Sequence, residues 1–83
     1  MKLIDILNLI PEDTAISVSL YDDNDEMFYG YIVGPKLGDR NELEREHNRQ
    51  VIRIEAGEVR AVTYEKPIPC VSIDVRCSLK EES

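Results

Sequence analysis

The chain has 83 residues, with 17 Asp and Glu against 10 Lys and Arg, a net charge of −7 and 42% hydrophobic residues. That composition fits one small folded domain over residues 1–83 and excludes a disordered tail. The acidic balance argues against direct contact with nucleic-acid phosphates, which takes clustered Lys and Arg. No run approaches the roughly 18 apolar residues of a membrane helix.

Leu3, Ile6, Leu7 and Ile10 recur at helical spacing. They predict a short amphipathic helix over Lys2–Ile10 that Pro11 ends. The stretch is broken by Asp5 and Asn8 and lacks a small-residue cleavage site, so it does not read as a signal peptide. Ala15–Tyr21 alternates, with Ile16, Val18 and Leu20 on one side and Ser17 and Ser19 on the other. Asp22-Asp23-Asn24-Asp25-Glu26 has turn chemistry. Met27–Val33 is the returning strand. Folding about Asn24 sets Leu20 opposite Phe28, Val18 opposite Gly30 and Ile16 opposite Ile32, all on one face. Tyr21, Met27, Tyr29 and Tyr31 then fall on the reverse face beside Ser17 and Ser19.

Gly34–Asp39 reads as a loop. Asn41-Glu42-Leu43-Glu44 resembles a capping box, with Asn41 as N-cap, opening a short helix to about Asn48. Its one large apolar residue, Leu43, predicts an exposed helix. Val51–Glu55 is a strand with Ile52 and Ile54 inward, Ala56-Gly57 a turn, and Glu58–Tyr64 its partner strand. That hairpin sets Arg53 opposite Arg60 and Glu55 opposite Glu58, which is unfavourable, though the diagonals compensate. Pro67-Ile68-Pro69 is extended. Cys70–Leu79 is the clearest strand, with Val71, Ile73, Val75, Cys77 and Leu79 on one side and Ser72, Asp74, Arg76 and Ser78 on the other. The fold class is α+β: an antiparallel sheet of about five strands, an N-terminal amphipathic helix on one face and a short second helix.

Catalytic chemistry finds no foothold in the sequence. His47 is the lone histidine, and no GxSxG, HExxH or phosphate-binding GKS/GKT motif occurs. Cys70 and Cys77 fall on opposite faces of one strand, Cys77 in the core and Cys70 partly exposed. Seven strand residues span about 23 Å, whereas a disulfide needs Cα atoms within about 7 Å. Two free thiols point to the reducing cytoplasm. No cofactor and no metal are expected. An EF-hand loop starting at Asp22 would need Gly at its sixth position and Glu at its twelfth, where Met27 and Val33 stand. Arg45, Arg49 and Arg53 interleave with Glu42, Glu46 and Glu55, which reads as surface ion pairing.

Two surfaces remain as partner-binding candidates. The first is the acidic tip Asp22, Asp23, Asp25 and Glu26. Residues 1–30 hold seven acids and one base, −6, whereas residues 31–83 hold ten acids and nine bases, −1. Such a one-sided field suits a basic protein partner. The second is the face of Tyr21, Tyr29 and Tyr31, since aromatics and Met are enriched in interfaces. Either a helix of the chain covers it, or it serves as a homo-oligomer or partner surface.

In layout, the opening Met1-Lys2-Leu3-Ile4-Asp5-Ile6-Leu7, the central Tyr29-Gly30, a short Glu/Asn-rich helix, Val51-Ile52-Arg53-Ile54 and a final alternating strand resemble small uncharacterised proteins. Those proteins are encoded in bacteriophages and mobile elements of Gram-positive gut bacteria. The resemblance leaves out residues 56–69. It implies a cytosolic accessory protein with no assigned activity and transfers no functional residue. The expected function is a non-enzymatic protein-binding module acting through the first hairpin. The alternative is an acidic nucleic-acid mimic that inhibits a host defence protein, of the anti-CRISPR or anti-restriction type.

Overall fold

The computed structural model describes residues 1–60 and 65–77. Helix α1 spans Leu3–Leu7 and strands β1 and β2 span Ala15–Tyr21 and Met27–Val33. A 3-10 helix follows over Arg40–Glu46, then β3 over Gln50–Val59 and β4 over Ile68–Arg76. The four strands form one sheet in the order β2-β1-β4-β3.

The α+β class and both strands of the first hairpin stand where the alternation put them. The sheet differs from the expected one in count and direction. It has four described strands, and β1 runs parallel to β4, with Ile16, Val18 and Leu20 beside Val71, Ile73 and Val75. The expected turn at Ala56-Gly57 does not form: β3 runs straight through it for ten residues. Arg53 therefore meets Asp74 at 3.8 Å and Glu55 meets Ser72, which removes the like-charge clash of the expected pairing. Of the expected partner strand, Glu58 and Val59 belong to β3, while residues 61–64 lie outside the described residues. The last strand starts two residues early, at Ile68, and the positions of Ser78 and Leu79 lie outside the described residues.

The core lies between one sheet face and the two helices. Ile16, Val18, Val33, Ile73 and Val75 are fully buried and pack with Leu3, Ile6 and Leu7 of α1. Helix α1 is shorter than the periodicity suggested, ending before Asn8. Its first N–H groups find partners outside the helix: Leu3 donates to the Arg49 carbonyl and Ile4 to the His47 carbonyl, each at 3.0 Å.

The strand order explains the second helix. Since β2 and β3 lie at opposite edges, residues 34–49 must cross the sheet. Leu43 plugs that crossing and is fully buried, so the 3-10 helix is packed rather than exposed. Its N-cap is Asp39, not Asn41: Asp39 Oδ1 accepts from the Asn41 N–H at 2.8 Å. Arg40 clamps the crossing to the turn before β1, donating to the carbonyls of Ile10 at 2.8 Å, of Pro11 and of Thr14. Gly34 has φ +141°, and a Cβ there would stand 2.8 Å from Ala15 Cα, so only glycine fits. Cys70 and Cys77 occupy opposite faces and are both free. Cys70 is buried rather than partly exposed, on the interior strand β4 between Ala15 and Gly57.

Candidate functional site

The first hairpin carries a one-residue step that decides the site. At its closed end Tyr21 pairs with Met27, the register expected from a turn about Asn24. Phe28 is then inserted as a bulge. From there Leu20 pairs with Tyr29, Val18 with Tyr31 and Ile16 with Val33. A one-residue slip turns a strand over. The expected tyrosine face is thereby split. Tyr29 and Tyr31 share the face of Leu20 and Val18, while Tyr21 lies on the opposite face between Met27 and Arg76.

Tyr29 and Tyr31, two apart on β2, meet edge to face with centroids 4.9 Å apart and planes at 65°. They stand where β2 leaves the cover of the helices. A cleft of about 420 Å³ opens there, lined on the sheet side by Leu20, Phe28, Tyr29, Tyr31 and Cys77. The 3-10 helix and its exit supply Arg45, Glu46 and Arg49. Phe28 and Tyr29 are about half exposed, at 43% and 54%. Beneath them Glu46 is buried and accepts from Arg49 Nε at 2.9 Å. The Tyr31 hydroxyl is held above its ordinary pKa, first by burial and then by the nearby Glu46 carboxylate and Tyr29, with Arg45 and Arg49 opposing. Aromatic rings beside guanidinium groups are the side chains that dominate binding at protein interfaces. Of the arginines expected in ion pairs, Arg49 pairs with Glu46 and Arg53 with Asp74, and the bulge turns β2 so that Arg45 and Arg49 also flank the tyrosines.

The acidic tip is organised as a turn. Asp22 Oδ1 accepts from the N–H groups of Asn24 at 2.8 Å and Glu26 at 3.0 Å. Asp25 adopts φ +61° and its Oδ1 lies 2.7 Å from Arg76 Nη2, while Arg76 Nη1 donates to the Asp22 carbonyl. Asp22 and Asp25 are thus engaged in shaping and anchoring the loop. Asp23 and Glu26 are exposed.

The opposite sheet face, between the two edges, carries Ser17, Ser19, Ser72, Asp74 and Arg76, and among the described residues both helices pack on the other face. Among the described residues no group of three His, Cys, Asp or Glu side chains is placed to hold a metal ion, and no helix is long and apolar enough to cross a membrane. His47, expected at the surface, is half-buried at the end of the 3-10 helix, where its carbonyl receives α1. Comparison of the chain with protein-family models, with curated proteins and with solved structures finds no match.

Proposed function

We propose that the protein is a non-enzymatic protein-binding module whose contact surface is the aromatic and arginine cleft of the first hairpin. The observation that supports this reading is the half-exposure of Phe28 and Tyr29 over a cleft walled by Tyr31, Arg45 and Arg49. Leaving large rings in water forfeits burial worth about 2 kcal/mol each, and a partner that covers them recovers it. Tyr and Arg supply such contacts at low ordering cost. The mimicry reading leans on the acidic tip, where Asp22 and Asp25 already have partners within the chain.

The test is affinity capture from the cytosol of the cell of origin, read by mass spectrometry. Wild-type chain is compared with Tyr29→Ser/Tyr31→Ser. Partners held by the wild type and lost by the variant are expected. Capture that is indifferent to the two substitutions overturns the reading. Capture lost instead on neutralising Asp23 and Glu26, and steeply weakened by salt, is the result that mimicry requires.

A further inference from the structure

The two edges of the sheet are built differently. Strand β3 carries Arg53, Glu55 and Glu58 and has a register step between Val51 and Arg53. Its first residues are already paired, with Lys2 bridging Gln50 and the Val51 N–H donating to the Met1 carbonyl. Charge, irregularity and cover are the devices that keep an edge from pairing with another strand. Strand β2 is the other edge, and from Met27 to Val33 it holds no charged residue and no proline. Its only irregularity is the Phe28 bulge at its start. Five of its seven residues are exposed.

We infer that the β2 edge pairs antiparallel with β2 of a second copy, across a two-fold axis at Gly30, to give a continuous eight-stranded sheet. This rests on the reading of the first hairpin as the binding surface and names its occupant. The segment Tyr29-Gly30-Tyr31 is its own reverse. A two-fold at Gly30 therefore sets Tyr29 of each copy opposite Tyr31 of the other, on the cleft face, where cross-strand aromatic pairs stabilise a ladder. At the axis itself stands a residue with no side chain, the position at which another backbone can come close. Isologous contact requires such self-complementarity.

Charge selects the same arrangement. An antiparallel pair about Gly30 brings the acidic turn before β2 in one copy to the end of β2 in the other, where the turn closed by Gly34 and Gly38 carries Lys36. Glu26 and Lys36 are both exposed. Each end of the joint thus sets the acidic tip of one copy beside the lysine of its mate, twice over by symmetry. A parallel pair would put tip against tip, with like charges together.

The experiment is sedimentation equilibrium on the full chain, with circular dichroism to verify the fold of each variant. The wild type is expected as a concentration-dependent dimer. Tyr29→Lys/Tyr31→Lys opposes lysines across the axis and is expected to be monomeric. Tyr29→Glu/Tyr31→Lys keeps the same change at position 31 but opposes unlike charges, and is expected to restore the dimer. A wild type that stays monomeric at its highest soluble concentration overturns the inference. So does a dimer that survives the lysine pair, or a matched pair that folds but stays monomeric. A monomeric wild type that still captures a partner through Tyr29 and Tyr31 overturns self-pairing alone and leaves the binding surface standing.

Discussion

Arg49 donates its Nε–H to Glu46 at 2.9 Å, and Glu46 is a carboxylate with only 5% of its surface exposed. The pair forms the floor of the cleft beneath Tyr31. Its value is best seen by breaking it. Removing one member of a buried pair leaves the other charge uncompensated, at a cost of about 3 kcal/mol. Arg49→Ala is expected to lose that much in urea unfolding. Glu46→Gln with Arg49→Met removes both charges and is expected to recover most of the loss. A single substitution costing under about 0.5 kcal/mol, the range of ordinary surface changes, would show that water reaches the pair.

Leu43 makes a second test, because it is the one large apolar side chain of the 3-10 helix and is fully buried. Leu43→Ala removes its contacts with the core and leaves a cavity, costing about 3 kcal/mol. That is a large share of the roughly 4 to 12 kcal/mol expected for a chain of this length. Leu9→Ala, at a residue 81% exposed, is the control and should stay within about 0.5 kcal/mol of wild type. Equal melting temperatures for the two variants would contradict the packing of the 3-10 helix on the sheet.

These two residues also show what the sequence made legible. Alternation located β1 and β4, because each presents one face to the core and period two is the signature of that arrangement, and the turn chemistry at residues 22–26 placed β2 beside β1. The packing of Leu43 was not legible, since helical amphipathicity counts apolar residues and a crossing segment needs only one plug. Strand order was not legible either: Ala56-Gly57 has turn composition, and the ladder with β4 holds it extended. One signal was present in the sequence. The expected hairpin opposed Arg53 to Arg60 and Glu55 to Glu58, and that cost was a sign of a different partner, found in Asp74. The cleft was hidden by the Phe28 bulge. The turn fixes the register at Tyr21 and Met27, but nothing in an alternating pattern marks where one residue is inserted. Tyr29 and Tyr31 therefore take the face opposite to the expected one, while Tyr21 keeps it.

Cys70 gives a pH test. Burial pushes its thiol above the ordinary 9.0, with a Ser17 backbone hydrogen bond acting weakly the other way. The Tyr31 hydroxyl is likewise raised above 10.0. As pH rises past the unfolded values, the unfolded chain releases these protons while the folded chain still holds them. Stability therefore falls with rising pH, starting near pH 9 with Cys70 and continuing with Tyr31. Cys70→Ala should flatten the first part of that decline. Identical alkaline slopes in urea melts of the two proteins would refute the assignment.

The acidic tip holds two kinds of carboxylate, and a charge experiment must separate them. Asp22 Oδ1 accepts two backbone N–H groups that close the loop. Asp22→Ala leaves both donors to water and is expected to cost about 1 kcal/mol, with the amide signals of Asn24 and Glu26 shifting as the turn loosens. Asp25 holds Arg76 across the loop in a largely exposed pair, so Asp25→Asn should cost under about 1 kcal/mol. Asp23→Asn with Glu26→Gln removes two charges while sparing Asp22 and the Asp25–Arg76 pair, and should melt above Asp22→Ala. That double variant isolates the charge of the tip from its shape. If it melts as early as Asp22→Ala, the tip's acids act together in folding, and loss of binding on neutralising them could not be assigned to charge.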